Sequence, residues 1–298
     1  MAETILVTGA TGTVGSEVVK QLLSAKGEKE DTIVKAAARS ANDSTFRNLG
    51  VQVVPLDYNK PDTLSSALRG IDKIFLLTPF QSNMVDLTSN LVNEAKKAGV
   101  KYIVKQSVLG ADDAKQAITP SRLHRQAEKI IEESGIPFTF LRPNFFMQNF
   151  VTFYSHFIKT QGAFYVPAGD AKASFVDVRD IAAVAVQALD GKKNGESKHI
   201  RKAYAVTGGE ALSYGQAAEI LSKEIGKKVN YVNISDEDAR KGMKDMGADE
   251  WTINSMVELF GTTRAGYLSE VSPAVEQITG NKPITFSQFA RDYAEAFK

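Results

Sequence analysis

Over the first 140 residues, short β-branched or apolar runs alternate with longer stretches in which apolar positions recur every three to four residues. Runs of the first kind occupy Ile5–Thr8, Ile33–Ala37, Val51–Pro55, Lys73–Leu77, Lys101–Gln106 and Phe138–Leu141, and the pattern predicts strands there. Helical spacing covers residues 14–25, 61–69, 83–99 and 121–134. Gly70, Gly99 and Gly135 follow three of these stretches, where a left-handed residue closes a helix at least cost. Such alternation is that of βαβ units, so the fold class expected is α/β, a doubly wound parallel sheet. Its right-handed crossovers place ligands outside the carboxyl ends of the strands.

Beyond residue 150 the alternation becomes irregular and aromatic residues gather, at Phe150, Phe153, Tyr154, Phe157, Phe164 and Tyr165. This predicts a sheet domain over residues 1–150 and a smaller substrate lobe over 151–298. Ser174–Val178 and Ala203–Val206 each read as a strand followed by a helix, so segments near 174–190 and 203–207 are expected to return to the sheet and interleave the two parts.

A 298-residue chain with 43% hydrophobic residues can bury a sizeable core. The formal net charge of +1 supplies no field to hold nucleic acid or an anionic membrane, so a partner must be recognised by a shaped site. With no cysteine there is no disulfide framework, thiolate metal site or catalytic thiol. The three histidines lack metal-ligand spacing, and no bound metal is expected. A strand pattern at the amino terminus, and no apolar run approaching the roughly 20 residues that span a bilayer, lead to the expectation of a cytoplasmic location.

The chemistry-bearing motif is the loop from Thr8 through Gly9, Ala10, Thr11, Gly12, Thr13 and Val14 to Gly15, between the first strand and the first helix. Gly9 permits the sharp turn, Gly12 lets backbone approach a pyrophosphate, and Gly15 allows close helix packing, as in a Rossmann-type dinucleotide site. The amides of Thr13 and Val14 would face the anion, helped by the helix dipole. After the second strand, where a carboxylate would hold the ribose hydroxyls of NAD, the chain reads Ala36-Ala-Ala-Arg39-Ser40. The guanidinium of Arg39 suits the 2′-phosphate of NADP(H), although a solvated loop cation would look the same. Asp57 and Tyr58, past the third strand, would flank the adenine; Asp57 would serve equally well as a helix-capping residue.

With that loop, Ser107 after the fifth strand, and Phe138-Thr-Phe-Leu-Arg-Pro-Asn-Phe-Phe-Met-Gln-Asn149, the chain resembles the NmrA-like family of atypical short-chain dehydrogenases. Phe175-Val-Asp-Val-Arg-Asp-Ile-Ala182, Tyr204-Ala-Val-Thr-Gly-Gly209 and Gly280-Asn-Lys-Pro-Ile-Thr-Phe-Ser-Gln-Phe289 extend the resemblance over nearly the whole length. It implies a strand order of 3-2-1-4-5-6, extended NADP(H) and a substrate pocket between the lobes. The nicotinamide would then lie near Leu77, Thr78, Pro79, Ser107 and Pro143, Asn144, Phe145 and Phe146. The family holds reductases of quinones and triphenylmethane dyes, and also regulators that bind the cofactor without known turnover.

The chain departs from the short-chain dehydrogenase pattern where a Tyr and a Lys four residues later would supply the proton. Counting back from Ile136-Pro-Phe-Thr139, Pro120 takes the tyrosine's place and His124 the lysine's. His124 could donate a proton or hold the nicotinamide ribose, or its helix could present it to water. Ser107 could hydrogen-bond a carbonyl or carboxamide, or be a turn residue. Lys105, on the same strand face as Ser107 by the period of two, is odd for a central strand. Nothing in the sequence marks a partner for His156 or His199, and neither is assigned a role.

For substrate, Phe80, Phe145, Phe146 and Met147 are expected to line the pocket, with Trp251 and Phe260 closing it as a lid or packing as core. Phe146, Phe150, Phe153 and Phe157 carry helical spacing and read also as a core stripe. The leading expectation is an NADPH-dependent reductase of a flat conjugated acceptor such as a quinone, whose anionic product water can protonate. The alternative is a non-catalytic NADP(H)-sensing regulator with a protein partner. An epimerase is disfavoured by the missing Tyr, and a homodimer is compatible with the sequence.

Overall fold

The computed structural model describes residues 2–25, 32–40, 46, 49–190 and 198–298. The first half runs β1 (Glu3–Val7), α1 (Thr13–Ala25), β2 (Thr32–Ala38), β3 (Gln52–Pro55), α2 (Pro61–Leu68), β4 (Lys73–Leu76) and α3 (Met84–Ala98). There follow β5 (Tyr102–Gln106), α4 (Thr119–Ser134), β6 (Phe138–Pro143), α5 (Ser155–Gln161), β7 (Ala163–Val166), β8 (Lys172–Ala173) and α6 (Val178–Leu189). The chain closes with β9 (Lys202–Val206), β10 (Leu212–Ser213), α7 (Tyr214–Ile225), β11 (Asn230–Asn233), α8 (Asp236–Asp245), α9 (Glu250–Arg264), α10 (Ala274–Thr279) and α11 (Phe286–Asp292).

Seven strands form the main sheet in the order β3-β2-β1-β4-β5-β6-β9, and neighbouring strands from β3 through β6 run parallel. The implied order 3-2-1-4-5-6 is found, extended by β9. Val7 lies opposite both Ala36 and Phe75, so the order reverses around β1 and its carboxyl end opens at the switch point where ligands of such sheets bind. Register also places Lys105 opposite Leu76 on one side and Phe140 on the other, in the middle of the sheet.

Two compact units make up the described chain. The first comprises Met1–Val108, Leu123–Arg142 and Ile181–Tyr204. Its core joins Leu6, Ile74, Leu76, Ile103 and Phe140 of the strands to Leu64, Leu91 and Ile131 of the helices. Leu109–Arg122, Pro143–Asp180 and Ala205–Lys298 form the second. Its core is aromatic, with Phe150, Phe164, Phe175, Tyr214, Phe286 and Phe289 packed edge-on or tilted. Here β7 pairs with β11 in parallel and β8 with β10 antiparallel.

Two sequence expectations are corrected. Ser174–Val178 is no strand: Val176 makes a single parallel bridge to Phe146, and α6 starts at Val178. Asp177 ends the extended run, its carboxylate accepting from Arg179 N–H (2.9 Å) and its carbonyl from Asp180 N–H (3.0 Å). The phenylalanine stripe is broken as well, because Phe150–Tyr154 form a π-turn, wider than 3.6 residues. Phe150 therefore enters the core while Phe153 is 57% exposed. Among the described residues no helix is long and apolar enough to cross a membrane.

Candidate functional site

The glycine loop owes its shape to two close approaches. Gly9 is left-handed (φ +59°), and Gly12 N–H donates back to its carbonyl at 3.0 Å. A β-carbon on Gly15 would stand 2.2 Å from Gly9 O, so α1 lies against the loop's own backbone, closer than any other residue type permits. At Gly12 the nearest atom to a β-carbon, again Gly9 O, is 3.3 Å away, and Thr11, Gly12 and Thr13 are exposed. The first-turn amides of α1 have no helical partner and sit at its positive end. An anion is what this loop can take.

The loop's wall is fixed from β4. Thr8 Oγ1 hydrogen-bonds Phe75 O and Leu77 O and accepts from Leu77 N–H at 2.7 Å. The Tyr58 hydroxyl donates to Leu77 O at 2.7 Å, and burial pushes its pKa far up. Tyr58 is thus a buried support beneath Leu77 and Thr78, and it presents no free face for an adenine. Asp57 accepts from Asn59 N–H (3.0 Å), shaping the turn between β3 and α2. Thr78 bonds Thr88 of α3 (3.0 Å), while Pro79 and Phe80 are exposed. Arg39 is exposed just past β2.

In the same unit, β5 and α4 carry the strongest electrostatic arrangement. The alternation of β5 turns Ile103, Lys105 and Ser107 to one face, and α4 meets it with His124, Glu128 and Ile131, spaced one helical turn apart. Lys105 is 0% exposed; its Nζ donates to Gln106 O (2.8 Å) and contacts His124 Nδ1 (3.2 Å). Burial pushes its pKa down to about 8, against the opposing pull of Glu128. Burial, then the charge of Lys105, hold His124 well below the ordinary imidazole value, so the ring is neutral at physiological pH. Glu128, also 0% exposed, accepts from Arg142 Nε (2.9 Å) and Nη2 (2.8 Å) and from Arg125 (3.3 Å). Ser107 Oγ and Gln106 Oε1 are buried without a hydrogen-bond partner among the described residues.

The remaining expected residues belong to the second unit. Asn144 is fully engaged inside it: Nδ2 donates to Ser174 Oγ and Leu268 O (both 2.8 Å), and Oδ1 accepts from Phe145 N–H (2.8 Å). Pro143 is buried at the end of β6. Phe145 stacks on Phe260 (6.2 Å between centroids) and Phe146 is half-buried. Met147 is 1% exposed and a core residue, which leaves it no surface for a substrate. Trp251 is half-buried in the first turn of α9.

Residues 1–290 match the model of the NmrA-like family. The chain belongs to the NmrA-like family. It is 41% identical over 294 residues to an NAD(P)H azoreductase of Xenophilus azovorans, covering 98% of this chain and 99% of that protein. The NADPH-dependent quinone oxidoreductase of Escherichia coli, solved with NADPH, superposes with a TM-score of 0.82 at 27% identity, covering 97% of this chain and 99% of that one. The triphenylmethane reductase of Citrobacter sp., solved with NADP(H), gives 0.82 at 27% identity over 98% and 99%. Proteins named as oxidoreductases are thus similar to this chain over nearly its whole length.

What sequence reasoning missed in this NmrA-like chain is the buried cluster. Lys105 was visible as a misfit in a strand, but nothing in the sequence named His124 as its neighbour. Glu128 carried no signal at all, since it sits in a polar-looking stretch of α4.

Proposed function

We propose that this protein is an NADPH-dependent reductase that passes hydride to a flat conjugated acceptor such as a quinone. The observation carrying this reading is the pairing, in one unit, of an open anion cradle at Gly9–Gly15 with the orphaned, buried Ser107 Oγ at the end of β5. Buried polar atoms are rarely left unpaired, and one at a strand's carboxyl end calls for a ligand group. The azoreductase, quinone and dye reductase relatives support it, because azo compounds, quinones and triphenylmethane dyes are all conjugated acceptors.

In this reading Gly9 to Gly15 hold the pyrophosphate through loop and first-turn amides, and Arg39 takes the 2′-phosphate. Leu77, Thr78 and Pro79 form the wall that Tyr58 braces from below, and Ser107 donates to a carboxamide or carbonyl. His124, being neutral, offers a hydrogen bond rather than a cation. The cofactor would supply the hydride, which carries both electrons; the chain supplies orientation and a site poor in water.

The test is reduced-nicotinamide oxidation by purified protein against a panel of quinones, azo dyes and enones, with NADPH binding titrated in parallel. Saturable, acceptor-dependent turnover is expected. Tight binding with no turnover across the panel would replace the reductase with the cofactor-sensing regulator.

A further inference from the structure

Burying an ammonium in the middle of a parallel sheet costs several kcal/mol unless it is paired, and Lys105 has no carboxylate in salt-bridge contact among the described residues. Glu128, the carboxylate whose charge acts on Lys105, is held by Arg142 and Arg125. Structural burial alone would favour Leu or Val here, as in the flanking Ile103 and Val104. What the lysine does touch is an imidazole. An ammonium has only donors, so the 3.2 Å contact makes His124 Nδ1 the acceptor and puts the ring proton on Nε2. No described protein group hydrogen-bonds Nε2, and His124 is only half-buried, so that proton is the one the dyad can give away.

We propose that Lys105 and His124 form a proton relay that neutralises the anion left on the acceptor after hydride addition. This rests on the reductase reading above. The His124 Nε2–H bond breaks as a bond from that proton to the acceptor's heteroatom or carbon forms; a Lys105 Nζ–H bond breaks as Nδ1–H forms. Lys105 is left neutral and regains a proton from solvent. No electrons move in the relay: both come with the hydride, and the sum is one acceptor, one hydride and one proton. His124 is the group at the acceptor and Lys105 acts through it.

The groups facing Lys105 set when the relay is loaded. His124 and Glu128 approach from α4, and Arg142 of β6 and Arg125 of α4 neutralise Glu128. With burial dominant, Lys105 carries its proton below about pH 8 and loses it above. A relay matters most where carbon or nitrogen must be protonated.

Two measurements test the relay. In the apoprotein, nitrogen-edited NMR of the imidazoles should show His124 as the Nε2–H tautomer, neutral well below the usual histidine midpoint. In Lys105→Met, which keeps the volume and removes a buried charge, the His124 midpoint should rise. A wild-type Nδ1–H tautomer, or a midpoint unmoved in Lys105→Met, would overturn the dyad whatever the enzyme does. In turnover of an azo or enone acceptor, wild-type kcat should fall as pH rises through about 8, while Lys105→Met loses that limb and about 10²-fold in kcat with unchanged NADPH affinity. Equal kcat and pH profile in the two proteins would sink the relay while leaving the reductase intact. Wild-type protein that turns over no acceptor fails the reductase reading itself and removes the anion the relay serves.

Discussion

Arg142 holds Glu128 with two parallel bonds, Nε to Oε1 at 2.9 Å and Nη2 to Oε2 at 2.8 Å, across the interior of the first unit. Both groups are charged, and the carboxylate has no exposure to water. The Leu-Arg-Pro stretch of β6 thus has a structural purpose besides any contact with ligand: its arginine ties the last residues of that strand to α4, the helix that carries His124.

Removing Arg142 leaves the buried Glu128 carboxylate with Arg125 alone, at 3.3 Å. Arg142→Met is expected to cost about 3 kcal/mol in urea unfolding, the low end for a broken buried pair, and a Glu128→Leu, Arg142→Met double variant to recover most of it. Equal losses in single and double variants would mean that the pair is not the source.

The glycine loop separates shape from binding. Gly15→Ala places a β-carbon 2.2 Å from Gly9 O, so it should lower Tm by several degrees and abolish NADPH binding together. Gly12→Ala meets only a 3.3 Å contact; its Tm should stay within about two degrees of wild type while NADPH affinity drops tenfold or more, because the methyl group occupies the face offered to phosphate. Fluorescence titration beside thermal unfolding reads both, and unchanged affinity in Gly12→Ala would count against the cradle.

Arg39, exposed just past β2, is the residue proposed to choose the cofactor. Arg39→Asp should weaken NADPH at least tenfold more than NADH, since a carboxylate repels the 2′-phosphate and accepts from ribose hydroxyls. Equal loss for both cofactors would remove the assignment.

Asp180, in the second unit, accepts from Ile284 N–H at 2.8 Å, yet its pKa is pushed up to about 6. Burial is the main cause; the Ile284 amide and Arg179 oppose it, and Asp177 adds to it. An acid raised on folding takes up a proton as the chain folds. Its contribution is therefore full below the unfolded pKa of about 4 and is lost as pH rises through about 6. Asp180→Asn keeps an oxygen for Ile284 and should be the more stable protein at pH 7–8, by up to about 3 kcal/mol, with the gap closing near pH 4. Thermal unfolding at both pH values checks this; a gap independent of pH would show that the carboxyl titrates normally.

Local pattern made most of the first unit legible. Six strands and four helices fall within one or two residues of where alternation and spacing put them, because each is long enough for its period to show. Gly99 closes α3 in the left-handed conformation that its position suggested. Past residue 143 the same reading lost its footing. Val176 is paired by Phe146, thirty residues earlier, and Phe153 is turned outward by a wide turn that no spacing rule marks. The candidate site divides along the same line. Its glycine loop is local, so it could be read; the Lys105, His124, Glu128 and Arg142 cluster exists only once β5, α4 and β6 are side by side. Met147 was misread for a related reason, since its place after a strand says nothing of how tightly Phe150 and Phe175 enclose it.

The first unit is assembled from three separate stretches of chain, the last ending at Tyr204. During synthesis, then, the ribosome must deliver the chain through β9 before β9 can join β6 and finish the sheet. From Pro143 until Lys202 is made, the nascent β6 has an unpaired edge, which is when a chain of this kind most needs a chaperone's cover.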